Sequence, residues 1–421
     1  MIETMEILPG VTLRCYTDSR FKQGCLSFQL VRRMRTEEAA LNALLPAVLL
    51  RGTRAYPDMR AITGRLDELY GASVGALVRR VGDYQTTGLH CGFMEDRFAL
   101  EGDAIFAPMV MLLRQLLTEP ILEGEGFCRE FVESEKKNLI ATIEAERNDK
   151  RAYAASRLMK LMCKEDSFGI PRLGEKEQVA EITPESLYEH YQTILRTSAV
   201  NLFYVGSCSA ETVAQLTKPL LEGIDRQPEK LPHQTAFCAC APSENEEEMD
   251  IAQAKLCMGY VTPVTNQHPR YAAMQVLNMI FGGGMTSKLF MNVRERLSLC
   301  YSIGSGYHGS KGIMTVSAGI DTEQYDTVRQ EIAAQLEACC RGEITQEEMT
   351  SAKEAIFSSL RSVTDSPGAI ENFYITSTLS GMPFEIPGYM EAISAVTVED
   401  VAEVAKTVQL HTSFVLKGVG Q

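Results

Sequence analysis

The residues of this chain best equipped for chemistry stand in Phe281-Gly-Gly-Gly-Met-Thr-Ser-Lys-Leu-Phe290 and in the following Val293-Arg-Glu-Arg-Leu-Ser-Leu-Cys-Tyr-Ser302. Arg294 and Tyr301 lie seven residues apart there. A guanidinium and a phenol both donate hydrogen bonds, either to a peptide carbonyl or to the oxyanion that forms when water attacks it. The glycines upstream permit positive φ and close backbone approach at a helix end. Ser287 or Thr286 can cap the next helix, whose last turn would hold Arg294, and a strand is expected to open at Tyr301. The triple glycine is no phosphate cradle, because it lacks the P-loop Lys-Ser/Thr and follows no predicted strand. Taken alone, the Arg and Tyr also suit a solvated helix face and a core aromatic.

The other reactive side chains form no obvious site. His90, His190, His233, His268, His308 and His411 never fall at i, i+3 or i+4 to one another, so a histidine metal site would have to be assembled across the fold. Of the twelve cysteines only Cys238-x-Cys240 and Cys339-Cys340 are close, and neither has zinc-ribbon or C-x-x-C spacing. A cysteine nucleophile is the weakest enzymatic reading, since no Cys has a recognisable His partner in sequence. The net charge of −14 argues against a sequence-independent nucleic-acid binder. No apolar run reaches the roughly 18 residues that span a bilayer, and residues 1–20 lack a signal-peptide core. A cytoplasmic chain, with neither nucleic acid nor membrane as partner, is expected.

At 421 residues and 45% hydrophobic composition the chain suits two or more domains, and its elements recur. Residues 183–207 and 397–420 each begin with a Thr N-cap and acidic residues and end in a short apolar strand. Glu135–Asp149 matches Ala352–Asp365, Ala39–Thr53 matches Tyr271–Thr286, and Cys25–Val31 matches Ala254–Val261. The order is the same in both halves, which predicts a duplicated α+β domain, an antiparallel sheet with helices packed on one face. The Pro- and charge-rich stretch 226–248 between the copies reads as an exposed linker, giving domains at 1–225 and 249–421.

Residues 41–53, Leu-Asn-Ala-Leu-Leu-Pro-Ala-Val-Leu-Leu-Arg-Gly-Thr, resemble the catalytic helix of the pitrilysin/insulinase family of zinc peptidases. There the inverted motif H-x-x-E-H precedes a Gly-Thr, both imidazoles face the metal and the Glu polarises the bound water. Aligned on Arg51-Gly52-Thr53, the His positions are Ala43 and Ala47 and the Glu position is Pro46. The family's third ligand is the second of two Glu on a downstream helix, matched here by Glu135-Lys-Lys-Asn-Leu-Ile-Ala-Thr142. Glu135 fits the first, and Thr142 replaces the ligand. Glu144 and Glu146 point about 200° and 40° around the helix from that position. Phe168-Gly-Ile-Pro-Arg-Leu-Gly174 and Ile182-Thr183-Pro184 also resemble the family, so the likeness covers nearly the whole chain.

The resemblance implies two pseudo-symmetric α+β domains and a chain unable to hold the catalytic zinc. In the family the Arg and Tyr of the second half bind substrate near the metal, a role that falls here on Arg294 and Tyr301. Some members work as pairs, one chain bringing zinc and the other the Arg/Tyr pair. The implied function is a non-catalytic subunit that completes the cleft of a zinc-bearing homologue acting on a peptide or protein. The alternative is a structural or peptide-binding protein of the same fold with no proteolytic role. The metal-less bacterial members further suggest a link to the 5-aminopentanol modification of elongation factor P. Finally, Pro46 removes a helical hydrogen bond and clashes with the preceding turn, so a kink or break is expected near Asn42–Pro46.

Overall fold

The computed structural model describes residues 2–231, 236–237 and 241–419. His233 and Cys238-x-Cys240 lie outside them. The first half runs β1 (Ile2–Leu8), β2 (Val11–Thr17), β3 (Gln23–Arg33), α1 (Thr36–Leu49), α2 (Met59–Glu68), β4 (Ser73–Val81), β5 (Tyr84–Met94) and α3 (Phe106–Thr118). A minimal hairpin, β6 (Leu122–Glu123) and β7 (Gly126–Phe127), leads to α4 (Arg129–Glu146), α5 (Lys150–Met162), α6 (Lys176–Glu181), α7 (Pro184–Thr197), β8 (Ala199–Gly206) and α8 (Ala210–Thr217). The second half runs β9 (Ser243–Met249), β10 (Ala254–Val261), α9 (Tyr271–Asn278), β11 (Ser302–His308), β12 (Ile313–Ile320) and α10 (Tyr325–Cys340). It closes with α11 (Gln346–Val363), α12 (Pro367–Ser380), α13 (Ile386–Ala395), α14 (Val398–Ala405) and β13 (Gln409–Gly418).

The two main sheets repeat one plan. Their orders are β1-β2-β8-β3-β5-β4 and β11-β12-β10-β13-β9. Read from opposite ends, β2, β8, β3, β5 and β4 correspond to β9, β13, β10, β12 and β11. Thr183 and Thr397 each cap the matched helices α7 and α14 through a capping box. The sheets are antiparallel except for one matched pair in each, β2 with β8 and β9 with β13, which run parallel. In the first sheet alternate residues Leu26, Phe28 and Leu30 of β3 join the same core as Leu44, Leu45 and Val48 of α1 and Leu112, Leu113 and Leu116 of α3. Each such side chain contributes roughly 1.5–3 kcal/mol by burial.

The units are interleaved along the chain, unlike the expected division at 225 and 249. One comprises Met1–Glu144, Ile170–His233 and Thr364–Thr376; the other comprises Ala145–Gly169, Gln234–Val363 and Ser377–Gln421. The cause is apolar packing. Ala154 and Leu158 of α5 are buried against Cys257, Phe414 and Leu416 of the second sheet. Gly259 makes room for α5, since a Cβ there would lie 2.6 Å from the Met162 sulfur. In the first unit Tyr374 of α12 stacks on Phe203, and Glu371 of the same helix takes hydrogen bonds from Ser27, Gln29 and Arg79. Helices therefore lie on both faces of each sheet.

Two further expectations are corrected. The end of the supposed linker is β9, an edge strand paired with β13. Most of its acidic side chains are paired: Glu247 accepts from Tyr153 and Arg157, Glu246 meets Lys417, and Glu244 meets Arg329. Helix α1 is also unbroken through Pro46. The carbonyl that proline leaves without a helical donor, Asn42 O, accepts instead from Thr87 Oγ1 of β5 at 2.6 Å. The Leu50 amide closes the last turn on Pro46 O at 3.3 Å.

Candidate functional site

On α1, Ala43 and Pro46 are buried and Ala47 is half-buried. Neither methyl group offers a lone pair. Thr142 on α4 is exposed, and its hydroxyl donates back to Asn138 O at 2.9 Å. Glu135 is held by Arg51 at 3.1 Å and accepts from Asn138 Nδ2 at 3.1 Å. These residues do not fit a zinc ion. Among the described residues no group of three His, Cys, Asp or Glu side chains is placed to ligate a metal.

A polar brace, missed at the level of sequence, stands beside them. Asn42 Nδ2 donates to Gln85 Oε1 at 2.8 Å, Asn42 Oδ1 lies 2.8 Å from His190 Nε2, and Gln85 Nε2 donates to the carbonyls of Ala39 and Arg172. Burial pushes the His190 imidazole down to about 4, against the pull of Glu38. At neutral pH it is an uncharged strut joining α7 to α1. The only sequence signal was a buried-face Asn, which is not distinctive.

In the second unit the glycine segment takes an unexpected form. Helix α9 passes into a π-helical stretch, Met279–Gly283, and Leu289–Arg296 is π-helical as well. Such i+5 turns are rare and concentrate at functional sites. None of Gly282, Gly283 and Gly284 has positive φ, contrary to expectation. Close approach is what glycine supplies: a Cβ on Gly282 would lie 2.8 Å from the Ser305 amide nitrogen on β11. Ser287 caps the following helix, its Oγ accepting from the Phe290 amide at 3.4 Å. The helix ends through Ser298, whose φ of +50° is a left-handed conformation unusual for a residue with a side chain.

Arg294 and Tyr301 both project outward. The Arg294 guanidinium lies 4.6 Å from the centre of the Phe290 ring and 3.6 Å from Glu295. Tyr301 is 61% exposed, its amide is bonded to Gly319 O, and its hydroxyl donates to Asp321 at 3.3 Å. No hydrogen bond joins Arg294 to Tyr301 among the described residues. β11 opens one residue after Tyr301 and is an edge strand, hydrogen-bonded to β12 alone. Beside it runs a groove of about 710 Å³. Gly304, Gly306, Thr315 and Ser317 form its floor; Gly282, Gly283, Gly284, Met285, Phe290 and the start of α5 line it. A floor of small side chains, with a free strand edge beside it, suits an extended polypeptide.

The cysteines offer no nucleophile in this region. Burial raises the Cys300 thiol to about 11 despite nearby Arg294, and raises Cys257 to about 11 and Cys339 to about 12. Thiols held so high stay protonated at neutral pH. No helix among the described residues is long and apolar enough to cross a membrane.

Comparison with known proteins agrees with this architecture. A family model described as the Peptidase M16 inactive domain matches residues 181–356. The chain is 30% identical over 409 residues to the Probable inactive metalloprotease YmfF of Bacillus subtilis (strain 168), covering 97% of this chain and 96% of that protein. A conserved protein from Enterococcus faecalis V583 superposes with a TM-score of 0.92 at 29% identity, over 100% of this chain and 99% of that one. A peptidase M16 inactive domain from Pseudomonas fluorescens superposes at 0.82 with 18% identity, over 99% and 98%. The fold and the relatives agree, and the chain belongs to the M16 (pitrilysin/insulinase) peptidase family as one of its inactive homologues.

Proposed function

We propose that this chain is the non-catalytic member of a two-chain cytoplasmic M16 peptidase, paired with a zinc-bearing homologue. It holds an extended stretch of a peptide or protein substrate along β11 and the glycine-lined groove. Arg294 and Tyr301 supply hydrogen-bond donors to a substrate carbonyl, while zinc and general base come from the partner chain. The observation that carries this reading is the juxtaposition at the edge of the second sheet. Phe290 lines the groove and stacks with Arg294, and Tyr301 leads directly into the open strand. Main-chain groups of β11 would give affinity without regard to substrate sequence, and the two donors would orient one carbonyl.

The test is turnover of a fluorogenic peptide by the reconstituted pair. Arg294→Ala or Tyr301→Phe should lower kcat on the order of a hundredfold, the usual effect of losing one donor to a developing oxyanion. Co-elution of the two chains should persist. Arg226→Ala, in the first unit and not among the residues that line this groove, should change turnover little. Unchanged turnover with both residues replaced would leave the alternative, a structural or peptide-binding protein. The likeness to metal-less bacterial members also leads us to propose a role in the 5-aminopentanol modification of elongation factor P, tested by mass spectrometry of that factor in a deletion strain.

A further inference from the structure

The other face of the second sheet carries a second groove, of about 810 Å³. Met258 and Tyr260 of β10 form its floor, Ala333 and Leu336 of α10 one wall, and Val408 and Leu410 at the start of β13 the other. Leu410 is 40% exposed. Tyr260 is buried, and among the described residues its hydroxyl has only the Met258 thioether, 3.8 Å away, as a partner. A buried phenol normally finds a stronger acceptor.

The internal repeat shows what covers such a place. In the first unit the matching surface lies between α3 and the junction of α7 with β8, and residues 218–229 run across it. Leu220 and Leu221 are buried there. Arg226 donates to the carbonyls of Leu195 and Ser198, and the amides of Gln227 and Glu229 donate to those of Arg196 and Thr197. In the second unit the corresponding surface, between α10 and the junction of α14 with β13, is the open groove. Its charge points to the kind of chain that fits. Arg329 is held by Glu244, Lys406 by Glu403, and Arg341 is shared between Glu343 and Glu337, so Asp326 remains as surplus acid on the α10 wall.

We propose that this groove docks a short, cationic, leucine-bearing segment of another polypeptide, which covers the second unit as residues 218–229 cover the first. The leucines fill the space over Met258 and Tyr260, the Tyr260 hydroxyl donates to a main-chain carbonyl, and a Lys or Arg meets Asp326. The proposal is independent of peptide turnover in the groove beside β11, which lies on the opposite face of the sheet.

The probe is a fluorescein-labelled dodecapeptide with the sequence of residues 218–229 in which Glu222, Asp225 and Glu229 are replaced by Lys. Anisotropy should give a Kd on the order of 10–100 μM, with the unmodified 218–229 peptide and a scrambled cationic peptide each at least about tenfold weaker. Ala333→Trp and Leu410→Glu, both at exposed positions, should each weaken binding by at least about tenfold, and Asp326→Lys should do so for the cationic peptide only. Unchanged circular dichroism and melting of these variants would separate blocked docking from misfolding. The proposal is overturned if the cationic peptide fails to bind at about 1 mM, ten- to a hundredfold above the expected Kd. It is equally overturned if scrambled and ordered peptides bind alike, or if the groove variants bind as well as the parent. Concentration-dependent dimerisation abolished by Ala333→Trp would assign the groove to a second copy of this chain and likewise overturn it.

Discussion

Replacing Glu371 by Ala should loosen the first unit more than any other single change at its α12 face. The carboxylate is fully buried. Its Oε1 accepts from Ser27 Oγ and Gln29 Nε2, each at 2.7 Å, and from Arg79 Nη1 at 2.9 Å; Oε2 accepts from Arg79 Nη2 at 2.8 Å. Removing it strands two buried neutral donors and a guanidinium whose side chain is 25% exposed. Breaking a buried ion pair from one side costs about 3–5 kcal/mol, and partial access of water to Arg79 places this case near 3 kcal/mol. With a urea slope of about 2 kcal/mol/M, the midpoint of the first unit should fall by about 1.5 M. Hydrogen exchange at the β3 and β4 amides isolates that unit from the other. Glu371→Gln keeps an acceptor and should lose less. Removing Arg79 and Glu371 together as Met should cost less than the sum of the single changes by more than about 1 kcal/mol, because neither charge is then left unpaired. A Glu371→Ala midpoint within about 0.3 M of the parent, or strictly additive costs, would refute the argument.

Thr87→Val keeps the shape of the side chain and deletes the hydroxyl that donates to Asn42 O, so the core of the first unit should lose about 1–3 kcal/mol by urea denaturation. His190 is pushed down to about 4 in the folded chain from its ordinary value of 6.5, so below pH 6.5 the unfolded state binds the extra proton and stability falls as pH drops toward 4. Between pH 7 and pH 5 this group alone should remove about 2 kcal/mol, and His190→Gln should abolish that part of the acid sensitivity in paired urea titrations. Ser298→Gly relieves the left-handed backbone after Arg294 and should raise the melting temperature of the second unit, by an amount equivalent to about 1 kcal/mol.

Much of this was legible in the residues, for identifiable reasons. The duplication could be read because the two Thr caps precede matched strands, whereas the assignment of Ala43, Pro46 and Ala47 to zinc positions rests on their spacing to Arg51-Gly52-Thr53 alone. The expected break at Pro46 failed because a helix defect is repaired by tertiary contact, and nothing in the sequence of α1 announces Thr87. The interleaving was hidden for a similar reason: Ala154 and Leu158 define an apolar face without saying which sheet it will cover. The acidic strand β9 read as linker because its neutralising cations come from Arg157, Arg329 and Lys417, far away in sequence. The π-helical turns around Gly282 and Arg294 share the apolar pattern of α-helix and differ only in how the backbone closes.

The central claim, that this chain lends substrate-binding groups to a zinc centre it does not itself possess, is tested most directly by measuring hydrolysis of one fluorogenic peptide in three samples. These are this chain alone, a zinc-bearing M16 homologue from the same cell alone, and an equimolar mixture. The account predicts background rates for each chain alone and turnover in the mixture that rises to a plateau at one-to-one stoichiometry. Full activity of the zinc-bearing chain by itself, unchanged when this chain is added, would contradict it.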